Sequence, residues 1–431
     1  MLLIVVGIAE QPEAGVDGFK AYFSKFKKLF NVEIEIKILW AVSSVGKGHV
    51  MRDLAIVNQL RKMADVDIDW LAPDPAGDFL RSRGQKVLEY SDQLAGSGKI
   101  YEQVFSEFTE EFNLLRYTRA DTRLHKHDFN ISSTAWQEKP YDVIVGDEAF
   151  WLLTGFASRW DKKPAPFIFM TDFIGTKAMR SNLKDHFTAW MNNLRFSFSH
   201  RGPDVYLYIG NAEEIPDDNL GFLLPGRRKW AQKHCRFVRP IIGFDPNALP
   251  GQPELRTKLN LPDSGKIFLA TIGPEGKHEQ RRAIMEEVFE NLKLEYPGAY
   301  FIITGSKTGT KKWIHYFQFL DNLYQYFAAS DFVITQSGYG KVTELVALGT
   351  PFIAIPLDHH FEQEYVMRHR LDHYGMGRLI TLRDHSPNGI ARMAHEMMDK
   401  EQATVEIDTG MEVAKLILNL AESSNGDKNA L

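Results

Sequence analysis

Short apolar runs that end in polar residues alternate along the chain with longer segments of helical periodicity. In the first half the apolar runs are EIKILWAV (35–42), DIDWLAP (67–73), YDVIVGD (141–147) and PFIFMTD (166–172), and the first is followed by a helical pattern over 49–63. The second half repeats the pattern in KIFLATIG (266–273), YFIITG (300–305), DFVITQS (331–337) and PFIAIP (351–356). This alternation predicts parallel sheets covered by helices, a doubly wound α/β architecture.

The periodicity fades over residues 239–266, where proline and glycine cluster. A domain boundary is expected in such a stretch, so we predict two Rossmann-like domains of similar size on either side of it. The predicted divisions are 1–240, which includes an additional strand and helix in 1–34; 241–405; and a C-terminal helix with a polar tail, 406–431.

Composition narrows the functional classes. The chain has 431 residues, a formal net charge of −5 and signs that are mixed throughout, so no basic field argues for a nucleic-acid partner. Its one cysteine, Cys235, cannot form an internal disulfide, which favours a reducing, cytoplasmic setting. No apolar run approaches the roughly 18–20 residues that span a bilayer, and we interpret MLLIVVGIAE as a strand rather than a signal peptide.

The stretch VITQSGYGKVTE (333–344) joins a predicted buried strand to a predicted helix. Gly338 and Gly340 allow a positive φ and a close approach of a ligand to the main chain. The start of the helix offers unpaired N–H groups and the positive end of the helix dipole, which suit a pyrophosphate. Glu344, in the predicted first turn, is within reach of a ribose diol. A tight strand-to-helix turn with an acid favoured by the dipole would explain the same residues.

The longer segment GYGKVTELVALGTPFIAIPLDHHFEQEYVMRHRLDHYGMG resembles the donor-binding segment of GT-B glycosyltransferases. The similarity is to the peptidoglycan N-acetylglucosaminyltransferase branch (family 28) and to UDP-glycosyltransferases (family 1). The shared features are the Gly-x-Gly loop, the Thr-Glu of the helix, Ala-Leu-Gly-Thr-Pro, and a proline followed by an acidic/Gln pair. The resemblance implies two Rossmann-like domains that face each other across a cleft, with acceptor binding in 1–240 and nucleotide-sugar binding in 241–405.

The same resemblance implies donor-binding roles for a set of residues in the second domain. They are Gly273, Gly276, Phe319, Gly338, Gly340, Lys341, Thr343, Glu344, Gln363 and Glu364. In the family, the residue matching Glu344 holds the ribose hydroxyls, and the pair matching Gln363 and Glu364 lies near the sugar. The register within Glu362-Gln363-Glu364 stays open, because the family usually has Asp-Gln or Gln-Gln there, and these residues also fit a solvated acidic helix face. Phe319 is near the base position or in the core.

In the first half, SSVGKGHVMRDLA (43–55) resembles the family's G-x-G-H-x-x-R loop, which implies acceptor-side positions at Gly46, Gly48 and Arg52. His49 is the candidate general base, since an imidazole with a pKa near neutrality accepts a proton at working pH. It also fits a helix-start residue that packs locally or lines the acceptor cleft. Asp147 is the candidate to orient His49 or to act as the base itself, and the alternatives at comparable strand ends are Glu148 and Asp172.

Two other patterns bear on partners. Residues 18–30 place five aromatic side chains opposite lysines at helical spacing, which is typical of a helix on an anionic membrane surface or of one that docks its aromatic face on the first domain. DVDID (65–69) has the Asp-x-Asp spacing of metal-dependent glycosyltransferases of another fold, but its alternation with apolar residues indicates a half-buried strand. We therefore expect no metal site.

The sequence thus predicts an inverting glycosyltransferase that transfers a sugar from a nucleotide-diphosphate donor, with UDP favoured, to the hydroxyl of a lipid or other small acceptor. It is expected to need no cofactor and to be cytoplasmic, with a place at the membrane surface if residues 18–30 bind there. Two alternatives remain open at this point: a nucleotide-sugar 2-epimerase of the same fold, and a non-catalytic binding subunit that keeps the donor fold.

Overall fold

The computed structural model describes residues 35–43, 48–96, 112–272, 279–305, 307–398 and 405–428. The predicted strand and helix of 1–34, which include the amphipathic segment 18–30, lie outside these ranges. So do Gly46, Gly273 and Gly276 of the predicted sites.

Strands and helices alternate through the described chain. The strands are β1 Ile36–Val42, β2 Val66–Leu71, β3 Val143–Asp147, β4 Phe167–Thr171, β5 Val205–Ile209, β6 Arg236–Val238, β7 Ile267–Thr271, β8 Tyr300–Thr304, β9 Gly309–Lys311, β10 Ile314–Phe317, β11 Phe332–Gln336, β12 Phe352–Ile355 and β13 Arg378–Leu379. The helices are α1 Gly48–Met63, α2 Ala76–Ser82, α3 Leu114–Glu138, α4 Phe150–Ala157, α5 Leu183–Phe196, α6 Arg227–His234, α7 Gln252–Lys258, α8 Glu279–Glu295, α9 Leu323–Ala329, α10 Tyr339–Leu348, α11 Met367–Tyr374, α12 Pro387–Met398 and α13 Met411–Lys428. A π-helical segment, Phe361–Val366, leads into α11.

The described strands form two separate sheets. The first has the order β2-β1-β3-β4-β5-β6, and the second has the order β13-β12-β11-β7-β8-β10-β9. All pairs in the first sheet are parallel, and in the second only β9 runs antiparallel, against β10. Seven of the eight apolar runs found in the sequence become inner strands, and the run 67–73 becomes the edge strand β2. The inner strands are buried because helices cover both faces of the sheets. The predicted doubly wound α/β class is confirmed.

The sequence pattern did not predict several of the edge strands. The strands β6, β9 and β13 have three, three and two residues, too short to show a period, and β9 is exposed along its length. These short edge strands depend on the neighbouring strand for their definition, so the sequence alone gives little sign of them. The inner strand β5, between β4 and β6, was also not predicted; its five residues alternate tyrosine with aliphatic residues and are almost fully buried.

The C-terminal helix α13 crosses back from the second sheet to the first domain. Gly410, just before the helix, lies so close to α1 that an added Cβ would be 2.7 Å from the Cα of Ile56. Gln59 of α1 donates to the hydroxyl of Thr409 at 3.1 Å, and Ile241 forms an isolated bridge with Asp408. The chain end therefore connects the two domains. In the described ranges, no helix has the length and apolar character needed to cross a bilayer.

Candidate active site between the two domains

Two helix starts, one from each domain, meet in the cleft. α1 begins at Gly48 directly after β1 and its loop, and α10 begins at Tyr339 after β11, with Gly338 as its N-cap. A Cβ atom added to Gly340 would lie 3.4 Å from the Cα of Gly48, whereas the space around Gly338 is open. Because the first N–H groups of a helix lack intrahelical acceptors, the two starts together direct backbone donors and positive dipole ends towards one region.

The structure corrects two details of the sequence prediction for this loop. Gly338 has an extended backbone with φ −93° and ψ 144°, and Gly340 lies inside the helix, so neither glycine is used for a positive φ. A Cβ at residue 340 would already be in van der Waals contact with Gly48, so the two backbones approach closely at this point. Glu344 is the sixth residue of α10 and therefore sits in the second turn, not the first.

His49, in the first turn of α1, has both of its ring nitrogens near carboxylates. Its Nδ1 is 3.3 Å from Oδ1 of Asp147, the last residue of β3. Its Nε2 is 3.6 Å from Oε2 of Glu148, the next residue along the chain. The predicted pair of His49 and Asp147 is thus brought together by the parallel neighbours β1 and β3, and Glu148 joins it on the other side of the ring.

Arg52 is the buried cation of this cluster. Its Nε donates to Oδ2 of Asp147 at 2.6 Å, its Nη2 contacts Oδ1 of the same carboxylate, and its Nη1 donates to Asp172 at 2.7 Å. Its Nη2 also lies 2.9 Å from Nδ1 of His49, so this side chain, which is only 4% exposed, is held by two carboxylates and the imidazole. The predicted acceptor-side position at Arg52 thus holds a residue that fixes Asp147 and Asp172 in place.

Charge and burial separate the protonation behaviour of these groups. Burial opposes ionisation of Asp147, but Arg52 and His49 outweigh it and hold the pKa of Asp147 well below its usual range. Burial alone would lower the pKa of His49, yet the charges of Asp147 and Glu148 raise it above 6.5. Burial, assisted by the charge of Asp172, raises the pKa of Glu148 to about 8. His49 and Glu148 are therefore the groups that change charge near neutral pH, while Asp147 stays ionised.

On the donor side, Lys341 and Glu344 lie one turn apart on α10 and are both half-buried, while Thr343 is buried. Burial lowers the pKa of Lys341 to about 8 and raises the pKa of Glu344 to about 7. An amine and a carboxyl group that both change charge near neutral pH therefore lie on the helix that begins beside Gly48. A ligand that carries negative charge at one end and hydroxyls at the other fits these two side chains.

The segment Glu362-Gln363-Glu364 lies in the π-helix, and its three side chains do different things. The amide oxygen of Gln363 accepts from the backbone N–H of Leu357 at 3.1 Å, and Glu364 is paired with Arg383. Glu362 has a shifted pKa: burial and the charge of Asp172 raise the pKa of its carboxyl group to about 8. The assignment of Gln363 and Glu364 to the donor sugar stays a prediction, while their described contacts are internal.

Phe319, in the loop after β10, is 54% exposed, which excludes the core position that the sequence left open. The sequence analysis missed Arg370 of α11, which is 1% exposed and reaches across the cleft into the first domain. Its Nη2 donates to the backbone oxygen of Asp172 and to the hydroxyl of Tyr208, both at 2.9 Å, and its Nε is 2.9 Å from Oε2 of buried Glu214. No local pattern around Arg370 marks it, because all of these partners come from distant segments.

Aromatic side chains from both domains close the cleft beside this network. The ring of Phe173 packs 5.4 Å from that of Phe361, and the ring of Phe112 lies 4.7 Å from that of His360. The backbone N–H of Phe112 also donates to the carbonyl of Asp358 at 2.8 Å. Phe112 and Phe173 of the first domain therefore pack at the contact between the two domains.

The Asp-x-Asp stretch forms part of strand β2, and its aspartates are paired with lysines. Asp69 is 1% exposed and is paired with Lys86 at 2.8 Å and Lys139 at 2.6 Å, while Asp67 lies 2.8 Å from Lys139. Within the part of the chain that the structure describes, no three His, Cys, Asp or Glu side chains are arranged to hold a metal ion.

Residues 297–419 match the family model of the glycosyltransferase family 28 C-terminal domain. The second half of the chain is therefore similar to the glycosyltransferase family 28 C-terminal domain over this segment. This match runs from β8 to the middle of α13 and includes the α10 helix start, so it confirms the resemblance drawn from the Gly-x-Gly segment.

Curated relatives extend the similarity beyond the family 28 domain. An uncharacterized glycosyltransferase of Methanosarcina acetivorans is 28% identical over 298 residues, which are 62% of this chain and 73% of that protein. One of Methanopyrus kandleri is 30% identical over 169 residues, 38% of this chain and 47% of its own length. The UDP-N-acetylglucosamine--N-acetylmuramyl-(pentapeptide) pyrophosphoryl-undecaprenol N-acetylglucosamine transferase of Proteus mirabilis is 30% identical over 125 residues, 27% of this chain and 35% of that enzyme. The chain thus spans about half of the Methanopyrus relative and about a third of the Proteus enzyme.

Solved structures show that the whole two-domain arrangement is shared. The glycotransferase of kitacinnamycin superposes with a TM-score of 0.56 at 13% identity and covers 92% of this chain and 96% of its own. The glycosyltransferase SnogD from Streptomyces nogalater gives a TM-score of 0.53 at 15% identity, with 90% and 100% covered. The chain therefore has the GT-B fold of these glycosyltransferases, and the segment that matches the family 28 model lies in its second half.

Proposed function

We propose that the protein is an inverting glycosyltransferase that takes a sugar from a nucleotide-diphosphate donor, with UDP preferred, and transfers it to an acceptor hydroxyl. The observation that carries the proposal is the meeting of the two glycine helix starts, at Gly48 and Gly340, beside the His49–Asp147 pair. A diphosphate at the α10 start would receive backbone N–H donors from a helix end, and the candidate base is in the adjacent turn of α1. The first domain would then bind the acceptor and the family 28 domain the donor.

In the proposed reaction, the acceptor oxygen attacks the anomeric carbon while its proton moves to Nε2 of His49. The bond from that carbon to the diphosphate oxygen breaks, the electron pair leaves with the diphosphate, and the configuration inverts. Asp147 would orient the ring, and its negative charge would stabilise the imidazolium. Nδ1 of His49 lies 3.3 Å from Oδ1 of Asp147 and 2.9 Å from Nη2 of Arg52, which also contacts that carboxylate. Because Arg52 holds Asp147 ionised with a low pKa, Asp147 is a poor proton acceptor, and His49 is the better candidate for the base.

The departing diphosphate would be stabilised electrostatically by the α10 start and by Lys341, without a metal ion. Glu344 lies one turn further on and would accept hydrogen bonds from the ribose hydroxyls. Support for uridine comes from the printed name of the Proteus relative, a UDP-N-acetylglucosamine-dependent transferase that acts on an undecaprenol-linked acceptor. The same name supports a lipid-linked acceptor. A solved structure of the same fold is a complex with thymidine diphosphate, which makes that nucleotide the natural competitor.

The test is a thermal-unfolding series at pH 7.5 with UDP, thymidine diphosphate and GDP. A ligand that binds only the native state stabilises it by about 2.7 kcal/mol at a hundred times its Kd, so the unfolding midpoint rises with nucleotide concentration. We expect the largest rise with UDP. Replacing Glu344 by Ala should weaken UDP roughly tenfold to a hundredfold, since charged hydrogen bonds to the ribose are lost.

Two controls make the result specific. Inorganic pyrophosphate should bind the wild type and the Glu344→Ala variant equally, because it lacks a ribose. The variant Glu287→Ala removes an exposed glutamate of α8 and should leave UDP binding unchanged. If no nucleoside diphosphate raises the unfolding midpoint, the proposed donor site is wrong.

A second candidate, a nucleotide-sugar 2-epimerase, is favoured by one observation. Glu148 and Glu362 have pKa values raised to about 8 by burial, and both respond to the charge of Asp172, so acid and base groups line the cleft from both domains. Incubation with UDP-N-acetylglucosamine alone separates the two functions, because epimerisation needs no acceptor. A new 2-epimer in that mixture would support the epimerase, and its absence with transfer to an added acceptor would support the transferase.

A further inference from the structure

Asp53 is a fully buried acid that the proposed reaction does not use. It lies on α1, next to Arg52 and four residues after His49, and its exposed fraction is 0%. Residues four apart on a helix lie on the same side, one turn from each other. Asp53 is therefore one helical turn from the candidate base, inside the protein.

The two oxygens of Asp53 receive no hydrogen bond from a donor in the described part of the chain. The indole N–H of Trp40, which lies beside this carboxyl group, also contacts no acceptor among the described residues. Buried polar groups without a hydrogen bond are rare, and a carboxylate in that situation is strongly destabilised. The surroundings of Asp53 therefore disfavour its ionised form.

Arg52, the neighbour in sequence, does not neutralise Asp53 by direct contact. Its Nε and Nη2 contact the carboxylate of Asp147, and Nη2 also lies 2.9 Å from Nδ1 of His49. Its Nη1 donates to Asp172 at 2.7 Å. All three nitrogens of the guanidinium are thus directed at other groups, and Asp53 has no contacting counter-ion within the described ranges.

The ionisable group that Asp53 faces is Asp147. The two carboxyl groups lie within hydrogen-bonding reach of each other. Two carboxyl groups that meet in a buried site share one proton, because both cannot be ionised at that distance. Asp147 accepts from Arg52 and lies beside His49, and both contacts stabilise its ionised form. The proton therefore belongs to Asp53.

The charges around Asp53 agree with this assignment. Burial and the negative charge of Asp147 raise the pKa of Asp53 well above its ordinary value, and they outweigh the positive charge of Arg52. Helices α10 and α13 also pack on α1, and their ionisable groups, among them Lys341, Glu344, Glu412 and Lys415, act on Asp53 less strongly than these two residues. Asp53 is therefore neutral at the pH at which His49 titrates.

A neutral Asp53 affects the His49–Asp147 pair in two ways. Its O–H donates to the carboxylate of Asp147 and restricts the rotation of that group, which keeps Oδ1 beside His49. It also adds no further negative charge to those of Asp147 and Glu148, which already raise the pKa of His49. An ionised Asp53 would raise that pKa further and keep the base protonated, and therefore inactive, at neutral pH.

We propose that Asp53 is a positioning residue: its protonated carboxyl group donates a hydrogen bond to Asp147 and so fixes the carboxylate that faces His49. This role deepens the proposed function and rests on it, because His49 is the base only if the protein transfers a sugar. The proton on Asp53 and its effect on the pair are measurable without donor or acceptor.

The first experiment compares the wild type, Asp53→Asn and Asp53→Leu as full chains without substrates. The infrared difference spectrum of wild type minus Asp53→Asn at pH 7.5 should contain the C=O band of a protonated carboxyl group. NMR titration of His49, assigned with His49→Ala, should give the same midpoint in the wild type and in Asp53→Asn, because an amide also donates without carrying a charge. In Asp53→Leu the midpoint should rise by about half a pH unit, since Asp147 loses a donor that reduces its effective charge.

The second experiment measures steady-state transfer by the same proteins. Asp53→Leu should lose at least about tenfold in kcat, with the KM of the donor changed less than about threefold, whereas Asp53→Asn should keep both values. Gln59→Met is the matched control, because Gln59 is a buried polar residue of the same helix whose amide bonds Thr409. It should keep the infrared band, the His49 midpoint and kcat.

An infrared difference without the band, or a His49 midpoint that falls in Asp53→Asn, would mean that Asp53 is ionised and would overturn the proposal. An unchanged midpoint in Asp53→Leu would show that Asp53 does not act on the pair, with the same consequence. Thermal unfolding shows which variants fold, and the isosteric Asp53→Asn carries the test if Asp53→Leu does not fold. A wild type that transfers no sugar would contradict the proposed function, while the spectra still decide the role of Asp53.

Discussion

At the scale of single residues, the titratable groups of the cleft differ in their pKa values. Asp147 is fixed as a carboxylate by Arg52, while His49, in contact with Asp147 on one side and Glu148 on the other, titrates above its ordinary pKa. A base must be neutral to accept a proton. The raised pKa of His49 therefore delays its activity to higher pH, and activity should be lost as the pH falls through that pKa.

We expect the rate of transfer to rise with pH and to have its midpoint above 6.5. The variant His49→Ala should lose about 10²–10⁴-fold in kcat because general base catalysis is removed, while UDP binding is kept. Asp147→Asn should move the midpoint to lower pH, because it removes the nearest charge that raises the pKa of His49. The measurements are the pH profile of kcat and the thermal shift with UDP. A midpoint that stays where it was in Asp147→Asn would contradict this assignment.

At the scale of elements, the functional geometry depends on where two helices begin. α1 and α10 start within van der Waals distance of each other because glycine occupies both Gly48 and Gly340. A side chain at either position would stand between the helix starts. The spacing therefore places a limit on the size of residue 340 that no local preference of the helix would impose.

We expect Gly340→Val to weaken UDP binding at least tenfold, since its methyl groups extend beyond a Cβ already 3.4 Å from the Cα of Gly48. The helix itself should form, because valine is not a poorer helix former than glycine. The control is Gly389→Val in α12 of the same domain, where the Ser386 hydroxyl is the near neighbour at 3.4 Å. Calorimetric titration with UDP measures the effect. Unchanged affinity in Gly340→Val would show that the spacing of the helix starts does not matter for the donor.

At the scale of the whole molecule, the domains are joined by a buried ion pair. Arg370 of the second domain and Glu214 of the first are 1% and 0% exposed, and Arg370 also bonds Tyr208 and the backbone of Asp172. An exposed pair, Arg83 and Asp321, joins the same two domains at 3.4 Å. Removing one partner of a buried pair leaves an uncompensated charge, whereas removing one partner of an exposed pair does not.

We expect Arg370→Met to lower the free energy of unfolding by about 3–5 kcal/mol. The double variant Arg370→Met/Glu214→Gln should regain part of that loss, because no buried charge is left unpaired. Arg83→Met, the exposed control, should cost less than about 1 kcal/mol. Urea unfolding of the wild type, the single variants Arg370→Met and Glu214→Gln and the double variant gives the coupling energy. Equal losses in Arg370→Met and Arg83→Met would mean that the buried pair does not hold the domains together.

The sequence by itself determined the fold class and the ends of the inner strands, because buried parallel strands are continuous apolar runs that stop at polar residues. It also predicted site positions at His49, Asp147 and the Gly338–Glu344 segment, since strand ends and helix starts are local features with local signals. Only the tertiary structure decided that Gly340 lies against Gly48, that Arg52 pairs with Asp147 and Asp172, and that Arg370 crosses the cleft. It also decided that α5 exposes Leu183 and Phe187 while Phe196 of the same helix packs against Trp230. Each of these depends on segments at least 95 residues apart or on which face a helix buries, and a local pattern does not contain that information.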